Sequence, residues 1–260
     1  MQLEIDITLL TITAALTVRF GVLAATLPLL DMRSVPPLWR VALAFSFAAA
    51  LAPGIVKSLP GLTVSLAWPA LVMEAVRSLV VGALLGFTIN LVFTAVRYAG
   101  SIAGMQIGFA IVNSFDPTSN SQISVISQLY YLLAVLLFFV TGAHQILVAA
   151  MFQSCLAVPP FASGDVVGGA WYLMGEFGTI FTLGLKIAAP IVIVLLLVSA
   201  SMGVIVKTVP QLNVLVVGFP IKIGVGLITL GLSLVFFKQV TTGAMAGMQD
   251  QLAAMLLALK

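Results

Sequence analysis

About six long apolar stretches set what this chain can fold into. They cover residues 7–30, 41–56, 69–98, 123–152, 170–206 and 214–237, and most are near the ~20 residues that an α-helix needs to cross a hydrocarbon core. A helix satisfies its backbone polar groups within the segment, so such runs predict an all-α fold of hydrophobic helical hairpins. Composition points the same way. Hydrophobic residues make up 62% of the chain and charged residues only 7%, against roughly 25% charged in a soluble domain. Mean hydropathy is +1.23. The chain is of the membrane class. Glu4 and Asp6 make its N-terminus acidic where a signal peptide would be basic, so the first apolar stretch is expected to stay in the mature protein.

One stretch breaks the pattern. Between the third and fourth apolar runs, Gly100, Gly104 and Gly108 recur every fourth residue, which on a helix opens one face to close approach by another backbone. Phe109 and Phe115 bracket a short apolar run holding Ile111 and Val112, and Asp116-Pro117 comes next. Proline disfavours helical geometry at the residue before it, so a helix is expected to stop there. Residues 118–122 are polar. Backbone that leaves the helix at membrane depth is tolerated where it is buried in protein or lines a water-filled cavity. The stretch therefore reads as the part that faces a passage, with its large apolar side chains placed to exclude water. The plainer alternative for the glycines is ordinary close helix packing.

The later runs are irregular. The fifth is too long for one simple crossing, and Lys186 with Pro190 is expected to kink or interrupt it. The last is expected to break at Gly218-Phe219-Pro220. Beyond it, Met245, Met248, Leu252, Met255 and Leu259 recur at a 3–4 spacing. That spacing predicts an amphipathic helix over 238–260, lying on a partner or a membrane surface. Arg33, Arg40, Arg97 and Lys207 fall in odd-numbered connections, while Lys57 and Lys238 lie on the even-numbered side. The difference leans the N-terminus towards the lumenal side without deciding the orientation.

Charges inside apolar runs are costly and face the protein interior or water. Arg19, Glu74, Arg77, Lys186 and Lys222 are of this kind, and Glu74 and Arg77 are spaced to pair on one helix face. Their plain reading is mutual neutralisation or snorkelling at span ends. The sharper one is a relay of Glu74, Arg77 and Lys186 in a proton-coupled small-molecule transporter. A scaffold without lumen contact is a third reading, but it leaves the aromatic stretch unexplained.

Catalytic signatures are missing. The sequence has no GxSxG elbow, Walker loop or zincin motif. Asp116 lacks a second central acid for paired-carboxylate chemistry. One cysteine, Cys155, allows no internal disulfide and no cysteine metal cluster, and one histidine, His144, excludes a multi-histidine site. The net charge of +3 is scattered with no basic run, so nucleic-acid binding is not expected. No enzyme, cofactor or metal is expected.

Two separated motifs add to this reading. The run Ala95-Val-Arg97-Tyr-Ala-Gly100-Ser-Ile-Ala-Gly104-Met-Gln106-Ile-Gly108-Phe109, continuing to Phe115-Asp116-Pro117, resembles the flagellar biosynthetic protein FliR family. So does Pro210-Gln211-Leu-Asn213-Val-Leu-Val-Val-Gly218-Phe219-Pro220-Ile-Lys222. The Val-Gly-Phe-Pro form resembles the flagellar branch, the injectisome homologue of the same subunit being the near alternative. The resemblance implies a subunit of the type III secretion export gate. With P and Q subunits it would form the channel that passes unfolded flagellar proteins across the bacterial inner membrane, at the flagellar basal body. It also implies the B and A subunits of the apparatus as partners.

The implied fold is a fusion of P-like and Q-like helical hairpins. Residues 7–152 would be P-like, with a plug loop at 104–120. Residues 170–237 would be Q-like, and 238–260 the C-terminal helix. The plug would use Met105, Gln106, Phe109, Ile111, Val112 and Phe115. Gly100, Gly104, Gly108, Asp116 and Pro117 would serve its packing and turn. Pro210, Gln211, Asn213, Gly218, Pro220 and Lys222 would lie at a subunit interface.

Overall fold

A computed structural model describes residues 7–27, 36–60, 64–109, 124–162, 165–209 and 214–259. Among the described residues every regular element is a helix: α1 (Ile7–Thr26), α2 (Pro37–Ser58), α3 (Trp68–Ile107), α4 (Val125–Val140), α5 (Ala143–Ala157), α6 (Val166–Glu176), α7 (Gly178–Thr208) and α8 (Val214–Ala258). Five helical stretches are long and apolar enough to cross a membrane, and α4 with α5 make a sixth as a broken pair. The all-α expectation and the count of apolar spans both hold.

The breaks fall elsewhere than expected. The fourth apolar run is divided at Thr141-Gly142, where Gly142 has φ +75. Glycine takes that left-handed conformation without steric cost. The fifth run is interrupted at Phe177, between α6 and α7, while α7 continues as helix through Lys186 and Pro190. The expected break at Gly218-Phe219-Pro220 is also absent, because α8 runs unbroken for 45 residues with Pro220 inside it. A proline removes one backbone bond and crowds the preceding turn. In an apolar helix that loss is tolerated when neighbouring groups and small adjustments re-satisfy the freed carbonyl.

The chain divides into two compact units. Unit 1 comprises residues 1–91, 142–177 and 246–260, and unit 2 comprises 92–141 and 178–245. Within unit 1, α1 packs on α2. Ile12, Leu16, Phe20 and Leu23 supply the large side chains, and Ala44, Ala48, Ala52 and Ile55 are the buried residues of α2. Alanines at every fourth position let helices approach closely. On α3, a methyl at Gly82 would overlap the Arg19 backbone, and one at Gly86 would overlap Thr26. That small-residue pair is what seats α3 against α1.

The C-terminal stripe corrects another expectation. Met245, Met248, Leu252, Met255 and Leu259 are all buried within the chain. In unit 1, Leu259 packs where a side chain at Gly169 would stand. Its carbonyl accepts a hydrogen bond from Asp165 N at 2.9 Å. Asp165 also caps α6, its Oδ1 accepting from Val167 N at 3.1 Å and Gly168 N at 2.9 Å. The amphipathic pattern therefore reports packing against this chain, not a helix laid on a partner or membrane surface.

In unit 2 the core is aromatic. Phe93 meets Phe138 at 5.6 Å and Tyr131 at 6.3 Å between ring centroids. Tyr130 lies 4.7 Å from Phe237. The Arg97 guanidinium sits 4.1 Å above the Tyr131 ring, a cation–π contact.

Candidate functional site

In unit 2 the glycine stripe meets two different helices. A methyl at Gly100 would overlap the Ser127 backbone, and one at Gly104 would overlap the Ser124 hydroxyl. The end of α3 is thus seated on the start of α4, and the Ser127 hydroxyl donates to the Arg97 carbonyl at 2.9 Å. Nearer the end of α3, Ile107 fills the place a side chain at Gly226 would need, on α8. A side chain at Gly108 would come within 3.5 Å of the Phe219 ring, also on α8.

Gly108 marks the end of α3. Its N–H is shared between the carbonyls of Gly104 and Met105, both at 3.2 Å, and its φ is +107. That backbone conformation belongs to glycine. α3 therefore ends at Gly108, and Phe109 beyond it is again helical. Asp116 and Pro117, with Ile111, Val112 and Phe115, lie outside the described residues. Of the remaining plug candidates, Met105 is exposed, and Gln106 and Phe109 are partly exposed at the exit of α3.

The second motif lies next to the first. Pro210, Gln211 and Asn213 lie outside the described residues, but Gly218, Phe219, Pro220 and Lys222 occupy the first turns of α8. Gly218, Phe219 and Lys222 line a cleft of about 280 Å³ against Ser199, Met202 and Gly203 of α7. Phe219 borders this cleft and also approaches Gly108. In the sequence the motifs stand apart, and nothing local marks Phe219 as a contact. Its place inside a strongly apolar run hides it, and only the glycine opposite could hint at a ring seated there.

The charges in apolar helices divide in two. Arg19, Glu74 and Arg77 converge in unit 1. Arg19 is fully buried, and its Nη1 donates to the carbonyls of Ser154 at 3.1 Å and Val158 at 3.0 Å, near the end of α5. Its Nη2 is 3.9 Å from Glu74 Oε1. Glu74 accepts from the Ser78 hydroxyl at 3.0 Å and from Phe161 N at 2.8 Å. Arg77 Nη1 lies 3.9 Å from Glu74 Oε2. Phe161 has φ +63, rare for a residue with a bulky side chain, so the Glu74 carboxylate holds a strained turn between α5 and α6.

Lys186 and Lys222 belong to unit 2; Lys186 is exposed and Lys222 half-buried. The set named for a relay is not gathered in one unit, and Glu74 is engaged in holding backbone and arginine. Among the described residues, no group of three or more His, Cys, Asp or Glu is placed to hold a metal.

Residues 10–248 match the family described as Bacterial export proteins, family 1. The chain is 31% identical over 218 residues to the flagellar biosynthetic protein FliR of Pectobacterium carotovorum subsp. carotovorum, covering 84% of this chain and 82% of that one. It is 32% identical to the protein of the same name from Bacillus subtilis (strain 168), with 82% of each chain covered. The Escherichia coli (strain K12) counterpart is likewise 32% identical, over 80% of this chain and 78% of its own.

Proposed function

Since the chain belongs to the bacterial export proteins, family 1, the family of flagellar biosynthetic protein FliR, we propose that it is the R subunit of a flagellar type III export gate. With P and Q subunits it would build the channel that passes unfolded flagellar proteins across the bacterial inner membrane at the basal body. The B and A subunits of the apparatus would attend it. In this reading residues 7–152 are the P-like part, 170–237 the Q-like hairpin, and 238–260 the C-terminal helical part.

The observation that carries the reading is the meeting of Gly108 with Phe219 inside unit 2. The chain leaves α3 there through a conformation glycine adopts freely. It does so beside a packed aromatic ring and with Met105 exposed. We assign residues 104–120 as the plug of the closed channel. Gly100 and Gly104 press the plug's root against α4, and Phe219 braces its exit. Phe109 and Phe115, with Ile111 and Val112, would fill the lumen and exclude water, while Asp116 and Pro117 set the turn. Met105 and Gln106 would flank the seal. Pro210, Gln211, Asn213, Gly218, Pro220 and Lys222 would lie at a subunit interface.

The mechanism is a passive, gated conduit. An arriving unfolded chain, driven by energy coupled elsewhere in the apparatus, displaces the plug. No step asks this polypeptide to make or break a bond. Co-expression with the P and Q genes tests the assignment. A gate subunit purifies as a stable hetero-oligomer with both; a stable homo-oligomer indifferent to them would overturn it.

A further inference from the structure

We propose that the cleft between α7 and α8 binds the acyl tail of an amphiphile whose head carries one anionic group, a carboxylate or a phosphate, held by Lys222. The lining residues all belong to unit 2, so the site stands or falls apart from the gate reading.

Lys222 is a cation without an anion. The two arginine–glutamate contacts, Arg19–Glu74 and Arg77–Glu74, lie in unit 1. Unit 2 carries Arg97, Lys186, Lys207, Lys222 and Lys238 against one acid, Asp116. Arg97 rests on the Tyr131 ring. Lys186, Lys207 and Lys238 are exposed and do not line the cleft. Lys222 differs from them. It is half-buried, lines the cleft, and has no hydrogen-bond or ion-pair partner among the described residues. It also lies on a helix apolar enough to cross a membrane, where a charge is paired or faces a cavity.

The rest of the cleft is a socket for hydrocarbon. Met202 and Val206 of α7 and Phe219 of α8 supply its walls. Ser199, the other polar side chain there, donates its hydroxyl to the Leu195 carbonyl at 2.7 Å. That leaves the Lys222 ammonium as the donor for a single anion. At Gly203 an added side chain would meet nothing within 4 Å. The socket is open at that point, although glycine weakens a helix interior relative to alanine.

Size and surroundings choose the occupant. At about 280 Å³ the cleft stands at the lower end of small-molecule sites, ~300–1,000 Å³. It admits a chain, whereas a helix about 10 Å across does not enter. Val204, Ile205, Val216, Val217 and Ile221, neighbours of the lining residues along both helices, are exposed. A water-borne anion would have to cross that apolar surface to reach Lys222. The tail of a fatty acid or phospholipid is favoured there. Phe219 is also the ring that a side chain at Gly108 would approach within 3.5 Å, so an occupant buttresses the end of α3.

The test takes the full chain, co-expressed with its assembly partners and placed in phosphatidylcholine nanodiscs. Diazirine analogues of palmitic acid and of phosphatidylglycerol serve as photolabels, located by peptide mass spectrometry. The expected result is label on residues 199–206 and 216–222, competed by unlabelled palmitic acid. Lys222→Gln should cut it about tenfold, as for loss of one charge-assisted hydrogen bond, while Lys222→Arg keeps most of it. Gly203→Leu, which fills the open socket, should cut it as deeply with Lys222 in place. Lys186→Gln, removing an exposed charge of the same unit, should leave it unchanged. A wild-type thermal-unfolding midpoint in each variant separates a lost site from a lost fold. Label from palmitic acid alone assigns a free carboxylate, and label from phosphatidylglycerol assigns a lipid phosphate; either carries the inference. Equal labelling by the diazirine analogue of palmityl alcohol overturns it, because the head would then need no charge. So do equal labelling of Lys222→Gln, label spread along the exposed faces of α7 and α8, or no label at the cleft. A chain that purifies without partners overturns the gate reading and leaves the labelling expected here unchanged.

Discussion

Glu74 is the residue on which unit 1 turns, because one carboxylate holds a buried arginine, a hydroxyl and the strained Phe161 turn together. Truncating a buried charge is costly mainly for what it leaves unpaired. Glu74→Gln would strand two arginines in apolar surroundings, and a loss of about 3–5 kcal/mol is expected. Arg77→Gln leaves Arg19 beside Glu74 and bonded to the Ser154 and Val158 carbonyls, and should change the stability of the isolated chain by about 1 kcal/mol or less. Denaturant midpoints of the two variants in the same detergent check the ordering. Equal losses would mean that Arg77, not Arg19, is the glutamate's main partner. The spacing of Glu74 and Arg77 is legible in the sequence as one turn of helix. Arg19 is visible there as an arginine needing a partner, but the carbonyls of Ser154 and Val158 that receive it stand 135 and 139 residues away. No local pattern carries information over that distance.

Among the helices, small residues stand where two backbones come close. Gly82 and Gly86 seat α3 on α1, and Gly100 and Gly104 seat its far end on α4. The breaks are harder to read, because a proline advertises a fault that a long apolar helix absorbs. Pro190 and Pro220 both lie within unbroken helices. The real interruptions, at Gly142 and Phe177, carry weaker sequence signals. The C-terminal stripe shows the limit of periodicity in another way. A 3–4 pattern says that a face is buried but not against what, and here Met255 and Leu259 are buried by their own chain. Met255→Ala should therefore destabilise the protein by about 2–5 kcal/mol, the usual range for a core truncation. A thermal-unfolding shift in detergent measures it. An unchanged midpoint would return the stripe to a membrane or partner surface.

Across the whole chain, the two motifs that signal the family are also the two that meet in space, Gly108 against Phe219 in unit 2. The family match spans residues 10–248, and the site lies where α3 ends and α8 begins. The segment beyond Gly108 is legible as composition alone: two phenylalanines, a proline stop and a polar run between apolar helices. Its place in the assembly depends on neighbours that the sequence of one chain does not contain. Whether this segment seals a conduit is decided by the ion conductance of the purified hetero-oligomer in a planar bilayer, with and without residues 106–118. A sealing segment predicts a complex that assembles in both forms and leaks only when the segment is removed. Equal conductance from two correctly assembled complexes would refute the seal.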